Sequence, residues 1–158
     1  MTAPLCTYRS AVIPEWVDYN GHLRDAYYLL LFSLATDALM DQLGLDEAGR
    51  AATGHSLYTL ECHLNFVREV KLGQQVEVRT QILGHDQKRL HLSHSLHLWG
   101  EASLLAASEQ MLLNVATAMG RAAPFDALVQ GRVEALALAH QGLPVPRFAG
   151  RAISLTRS

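Results

Sequence analysis

Between residues 25 and 43, polar side chains are confined to Ser33, Asp37 and Asp41, spaced four apart, with Thr36 and Gln42 alongside. Every other position from Tyr27 to Leu43 is apolar. Four-residue spacing puts the polar groups on one side of an α-helix. A helix with so narrow a polar stripe must be covered over most of its circumference. Gly44 supplies its stop. Ahead of it, residues 5–13 alternate loosely as a short strand ended by Pro14, and residues 45–54 read as a connection with room for one short helix.

Four strand-like stretches follow. In 56–67, Tyr58, Leu60, Cys62, Leu64 and Phe66 share one face, while Thr59, Glu61, His63 and Asn65 share the other. In 74–84, Val76, Val78, Thr80 and Ile82 oppose Glu77, Arg79 and Gln81. In 88–99, Leu90, Leu92, Leu96 and Leu98 oppose His91, Ser93, Ser95 and His97. The stretch 102–117 is apolar on both faces, as expected of a strand covered on each side. Turn signals at Lys71-Leu72-Gly73, Gly84-His85-Asp86 and Gly100-Glu101 join these stretches as hairpins. Residues 125–139 predict a last helix before a Pro- and Gly-rich tail. One buried helix followed by antiparallel strands is an α+β pattern, and a curved antiparallel sheet wrapped around a central helix buries it best. A single domain over residues 1–158 is expected.

Composition excludes more than it adds. With 49% apolar residues, 18% charged and a formal net charge of -2, bulk charge argues against a nucleic-acid or anionic-membrane partner. A local basic patch is still available around Lys88-Arg89 or in the tail at Arg147, Arg151 and Arg157. Cys6 and Cys62 form no disulfide framework and match no zinc or redox spacing. The opening residues lack a signal peptide's basic stretch and apolar core, and the apolar run at 26–35 is too short to span a bilayer. A cytoplasmic, reduced protein is expected. His91, His94 and His97 are spaced by three on a strand, so His94 faces away from the others and no metal is expected. There is no phosphate loop, no Gly-x-Ser-x-Gly elbow and no dinucleotide fingerprint, which removes kinases, serine hydrolases and classical dehydrogenases.

Polar chemistry gathers in PEWVDYNGHLRDAYY, residues 14–28, where the buried helix begins. A helix start offers free N–H groups and a positive dipole end, suited to a carbonyl oxygen gaining charge. Gly21 would let a ligand approach the backbone. Asp18 is placed to act as a nucleophile or as a general base on water, and His22 to orient it. The plainer reading is that Asp18 or Asn20 caps the helix, Gly21 makes a turn and Trp16 is core. Glu61, His63 and Asn65 form either a solvated outer face or the polar wall of a pocket or interface, and Glu61 is the preferred second carboxylate. Glu109 lies among Leu105, Ala107, Met111 and Leu113, where it needs an Arg or His partner or stays protonated.

The run Trp16-Val17-Asp18-Tyr19-Asn20-Gly21-His22-Leu23, followed by Tyr28, resembles the hotdog-fold acyl-CoA thioesterases of the 4-hydroxybenzoyl-CoA thioesterase-like group, over roughly residues 8–117. The resemblance implies a hotdog fold, a catalytic carboxylate at Asp18 and a thioester carbonyl polarised by backbone near Gly21 and His22. It also implies an active site at the interface of a homodimer or homotetramer. Apolar surface on the last strand supports such assembly. Many members carry Val-Asn-Asn after the Gly-His, where this chain has Leu23-Arg24-Asp25. The segments EWVDYNGH, LYTLECHLNF, HDQKRLH and SEQMLL further resemble the betainyl-CoA thioesterases of carnitine breakdown. A permanently cationic betaine group calls for aromatic faces and a carboxylate. Trp16, Tyr19, Tyr27, Tyr28 and Trp99, with Glu61 or Glu109, are available for it.

On this reading Trp16, Asn20, Tyr28 and His63 contact substrate, and Lys88 and Arg89, with Arg68 and Lys71, meet the phosphates of coenzyme A. No cofactor is implied, since coenzyme A is part of the small-molecule substrate. Two alternatives stay open. One is a hotdog dehydratase or hydratase using His22 and Glu61; the other is a non-catalytic acyl-CoA binder.

Overall fold

The computed structural model describes residues 3–156, so Arg157 lies outside it. The four-residue polar spacing corresponds to α1 (Asp25–Leu43), which Gly44 ends in the left-handed conformation at φ 89°. Before it lie β1 (Leu5–Ala11) and one 3-10 turn, Pro14–Trp16. After it come α2 (Glu47–Thr53), β2 (His55–Phe66), β3 (Gln75–His85), β4 (Arg89–Leu98), β5 (Leu104–Ala116), β6 (Arg121–Ala122) and α3 (Ala127–His140). The strands form one curved antiparallel sheet in the order β1-β3-β4-β5-β2, with β6 against the end of β5.

Alternation then decides which side chains meet the helix. Val76, Val78 and Leu96 join Leu31, Phe32 and Ala35 in one part of the core. Ile82, Leu90, Leu92 and Leu112 join Leu39, Met40 and Leu43 in the other, closed by Val129 and Val133 of α3. Each such side chain contributes about 1.5–3 kcal/mol on burial. A polar chain runs through this core. His94 Nε2 meets Thr36 Oγ1 at 2.9 Å and His94 Nδ1 meets Thr80 Oγ1 at 2.8 Å. The imidazole also stacks on Phe32 at 5.8 Å.

Four expectations need correction. Thr36, counted with the polar stripe, is buried against His94 instead. The sheet covers one face of α1 only, leaving Leu29 exposed and Leu30, Leu34 and Ala38 half-covered. The start of β2 changes phase, because a register shift between Thr59 and Glu61 absorbs Leu60. Cross-strand partners share a face. Leu57 and Thr59 therefore lie with Cys62, Leu64 and Phe66 on the helix side, while Tyr58 lies with Glu61 and His63 outside. As the outermost strand, β2 leaves Tyr58 and Leu60 exposed at 48% and 52%. The last long strand, β5, sits between β4 and β2, so the open apolar surface is on β2 and α1 rather than there.

On the outer face Glu77 is almost fully buried. Burial alone would raise its pKa. Hydrogen bonds from Arg79, the Gly100 N–H, Cys6 and Arg9 outweigh that and bring it from 4.5 down to about 2. Burial lowers His94 from 6.5 to about 3. Both groups bind protons more readily when unfolded, so both contribute stability that is lost as pH falls. His94 acts between 6.5 and about 3, and Glu77 between 4.5 and about 2. Melting temperature should begin to fall below pH 6.5 and fall more steeply below 4.5. Glu77→Gln should flatten the lower part of that profile in a calorimetric pH series.

Candidate active site

Asp18 does not cap α1; that position belongs to Arg24, which makes no side-chain cap bond. Asp18 instead builds a tight turn six residues earlier. The Gly21 N–H donates to Asp18 O at 2.9 Å, and the Asp18 N–H donates to His22 O at 2.9 Å. The carboxylate closes the turn from inside, its Oδ1 accepting from Asn20 N–H at 2.9 Å and His22 N–H at 3.0 Å. Gly21 adopts φ 74°, and a Cβ there would meet open space. Its requirement is therefore conformational rather than one of close approach. Tyr19 stands at the tip, 94% exposed.

The turn is stitched to the segment after β2. The Leu23 N–H donates to Val70 O at 2.7 Å and the Leu72 N–H to Gly21 O at 2.9 Å. His22 Nε2 pairs with Glu69 Oε2 at 3.3 Å. Trp16 stacks on Tyr27 at 6.2 Å, and the buried Tyr28 donates its hydroxyl to Arg68 O at 3.2 Å. The hydrogen bond from His22 N–H, helped by that from Asn20, lowers the Asp18 pKa below its ordinary 3.8, so the carboxylate is ionised at neutral pH. Oδ1 carries both bonds, and Oδ2 accepts none among the described residues.

This geometry revises the expected carbonyl donors. The N–H groups of Gly21, His22 and Leu23 are all committed within the fold. The Asp25 N–H, first in α1, donates to no acceptor among the described residues. It is the open donor at the positive end of the helix. Asp25 Oδ1 accepts from the neighbouring Ala26 N–H at 2.8 Å.

Trp16, Asp18, Asn20, Gly21, His22 and Tyr28 thus share one end of the sheet. Glu61 and His63 do not join them, because alternation along β2 places both on its outer face, opposite Cys62, Leu64 and Phe66. Within one chain His22 has Glu69 as its acid instead of Glu61. Lys88 and Arg89 lie at the far end of β4, in the turn to β3. There Arg89 is bound to Asp86 at 2.6 Å. Glu109 does take the histidine partner its position called for, His91 at 3.5 Å, and also accepts from Gly150 N–H. Glu69 and Phe66 escaped sequence reasoning. They end an exposed strand, and no period marks them as part of the site.

A curved antiparallel sheet on one long helix is the arrangement of the hotdog-fold thioesterases. The chain belongs to the thioesterase-like superfamily, whose family model matches residues 12–133. It is 63% identical over 155 residues to a betainyl-CoA thioesterase of Pseudomonas aeruginosa, covering 98% of each chain. It is 37% identical to a Rhizobium meliloti L-carnitine dehydrogenase/betainyl-CoA thioesterase, where it covers 99% of this chain but only 31% of that longer protein. Among solved structures, a Pseudomonas putida protein assigned as a thioesterase superposes with TM-score 0.86 at 52% identity, covering 99% of this chain and 100% of that one. A Staphylococcus aureus protein in complex with CoA shares the fold, with TM-score 0.89 at 24% identity over 99% of both chains.

A side chain at Gly21 would force a left-handed backbone onto an L-residue, costing about 1 kcal/mol. Gly21→Ala should lower the melting temperature by about 2–4 °C. Gly21→Asn should lose less, because Asn tolerates this conformation.

Proposed function

We propose that this protein hydrolyses betainyl-CoA to betaine and free coenzyme A, in the breakdown of carnitine in the cytoplasm. The observation that carries this reading is the full-length match, at 63% identity, to a betainyl-CoA thioesterase. The fused relative, which joins an L-carnitine dehydrogenase to a betainyl-CoA thioesterase, supports the same route. No helix of the described residues is long and apolar enough to cross a membrane.

In the proposed reaction the thioester carbonyl oxygen accepts from the Asp25 N–H, where the helix dipole stabilises the developing negative charge. Asp18 Oδ2 either attacks the carbonyl carbon or takes a proton from the water that does so. Collapse of the tetrahedral species breaks the C–S bond, and coenzyme A leaves as a thiolate that is then protonated. Where water attacked, betaine is released directly; where Asp18 attacked, water then hydrolyses the mixed anhydride to betaine and free Asp18. His22, held by Glu69, fixes the turn that presents Asp18. Trp16, Asn20 and Tyr28 border the same end of the sheet. No cofactor has a role in this chemistry, because the thioester is already activated.

The proposed assembly is a homodimer or homotetramer built on the free edge of β2 and the half-covered flank of α1. An edge strand of 12 residues, paired with β5 on one side only among the described residues and bearing exposed Tyr58 and Leu60, is otherwise an open edge. Antiparallel pairing of two β2 strands would bring the Lys88 end of one copy toward the Asp18 end of the other. Lys88 could then meet coenzyme A phosphates across the interface, with Arg89 joining if it leaves Asp86.

Asp18→Asn tests the chemistry. The amide oxygen can still accept from Asn20 and His22 N–H, so melting temperature should hardly change. Turnover, followed by thiol release from betainyl-CoA, should fall by about 10²–10⁴. Near-normal turnover would remove Asp18 from the mechanism. Faster thiol release from aryl- or fatty-acyl-CoA would displace betaine as the acyl group.

A further inference from the structure

Resting on the betainyl-CoA reading above, we infer that the cationic head of the acyl group seats in the cleft between the first turn of α1 and residues 66–69. There the ring of Phe66 and the carboxylates of Asp25 and Glu69 receive it.

The cleft has a volume of about 290 Å³ and is lined by Leu23, Asp25, Tyr28, Phe66, Val67, Arg68 and Glu69. That is at the lower limit of ligand pockets, which run to about 1,000 Å³, and suits a small head group rather than a long chain. Phe66 is 51% exposed although it is the last residue of its strand and meets Tyr28 edge-on, at 5.1 Å and 89°. Folding alone gives no reason to leave that ring open beside two acids. A quaternary ammonium donates no hydrogen bonds, so it is held by aromatic faces and by negative charge. The cleft supplies both.

Its position also fits the chemistry. One methylene separates the ammonium nitrogen from the thioester carbonyl carbon, so the head must lie beside the reacting group. Glu69 reaches Asp18 through a single residue: His22 pairs with Glu69 at 3.3 Å and donates its N–H to Asp18 at 3.0 Å. Asp25 contributes both the open N–H and one of the cleft's carboxylates. Three of the other groups considered for the cation lie elsewhere. Trp99 lies under Arg9 at 4.8 Å, Glu109 holds His91 and Gly150, and Glu61 is on the outer face. Among the lining residues, Arg68 opposes the cation against the two carboxylates, while its carbonyl is held by Tyr28.

The test compares betainyl-CoA with its neutral isostere 3,3-dimethylbutyryl-CoA, in which carbon replaces the ammonium nitrogen. The readout is the ratio of their kcat/KM values in the wild type and in Asp25→Asn, Glu69→Gln, the double variant and Phe66→Leu. Both carboxylates are exposed, so these variants should fold. The ratio should fall about five- to tenfold in each carboxylate variant, further in the double variant, and about threefold in Phe66→Leu. The loss should appear mainly as a higher KM for betainyl-CoA. An unchanged ratio in the double variant, with betainyl-CoA still hydrolysed by the wild type, overturns the cleft and leaves the reaction standing. A wild type that hydrolyses the isostere but not betainyl-CoA overturns both.

Discussion

The contact on which the rest of this molecule depends is the burial of one face of α1 against the sheet. Leu31, Phe32, Ala35, Leu39 and Leu43 are buried, and Val78, Leu90, Leu92, Leu96 and Leu112 meet them from the sheet. Three- and four-residue spacing on the helix and two-residue spacing on the strands make that fit available. Once made, it fixes where the helix begins. The first turn of α1 comes to rest where β2 ends, and the loop carrying Asp18 is tied to Val70 and Lys71 there.

Polar groups inside this interface refine it. Thr36 donates to Phe32 O, which leaves its oxygen to accept from His94 Nε2, while Thr80 serves Nδ1. A neutral His94 satisfies both hydroxyls without a buried charge. Such a network tolerates little sliding of helix against sheet, because any shift would strand a polar group in the core. On the opposite face Glu77 gathers Arg9, Arg79 and the Gly100 N–H, joining β1, β3 and the turn after β4.

The chemistry follows from how backbone donors are shared. The N–H groups of Asn20 and His22 are used to shape the turn and to hold Asp18 ionised, and those of Gly21 and Leu23 to anchor it. What remains open is one carboxylate oxygen and the first N–H of a long helix. On the proposed reading, a nucleophilic or basic group and an oxyanion donor are separated by a short stretch of chain.

Much of this was legible in the residues. The bounds of α1, its stop at Gly44, the alternation of β3 and β4 and the opposite facing of His94 all follow from local spacing, as does the clustering of chemistry around Asp18. Spacing by itself determined these because a helix or strand repeats within its own few turns. What only the tertiary structure decided concerns partners. Whether Thr36 is inside or out depends on His94 lying 58 positions away. One absorbed residue, Leu60, turns Tyr58 out and Thr59 in, and no local pattern announces it. The choice of Glu69 for His22, and the use of the Gly21–Leu23 donors for folding rather than for substrate, come from how the loop docks on the end of β2. Register and docking join distant segments, and that pairing energy is absent from either segment alone.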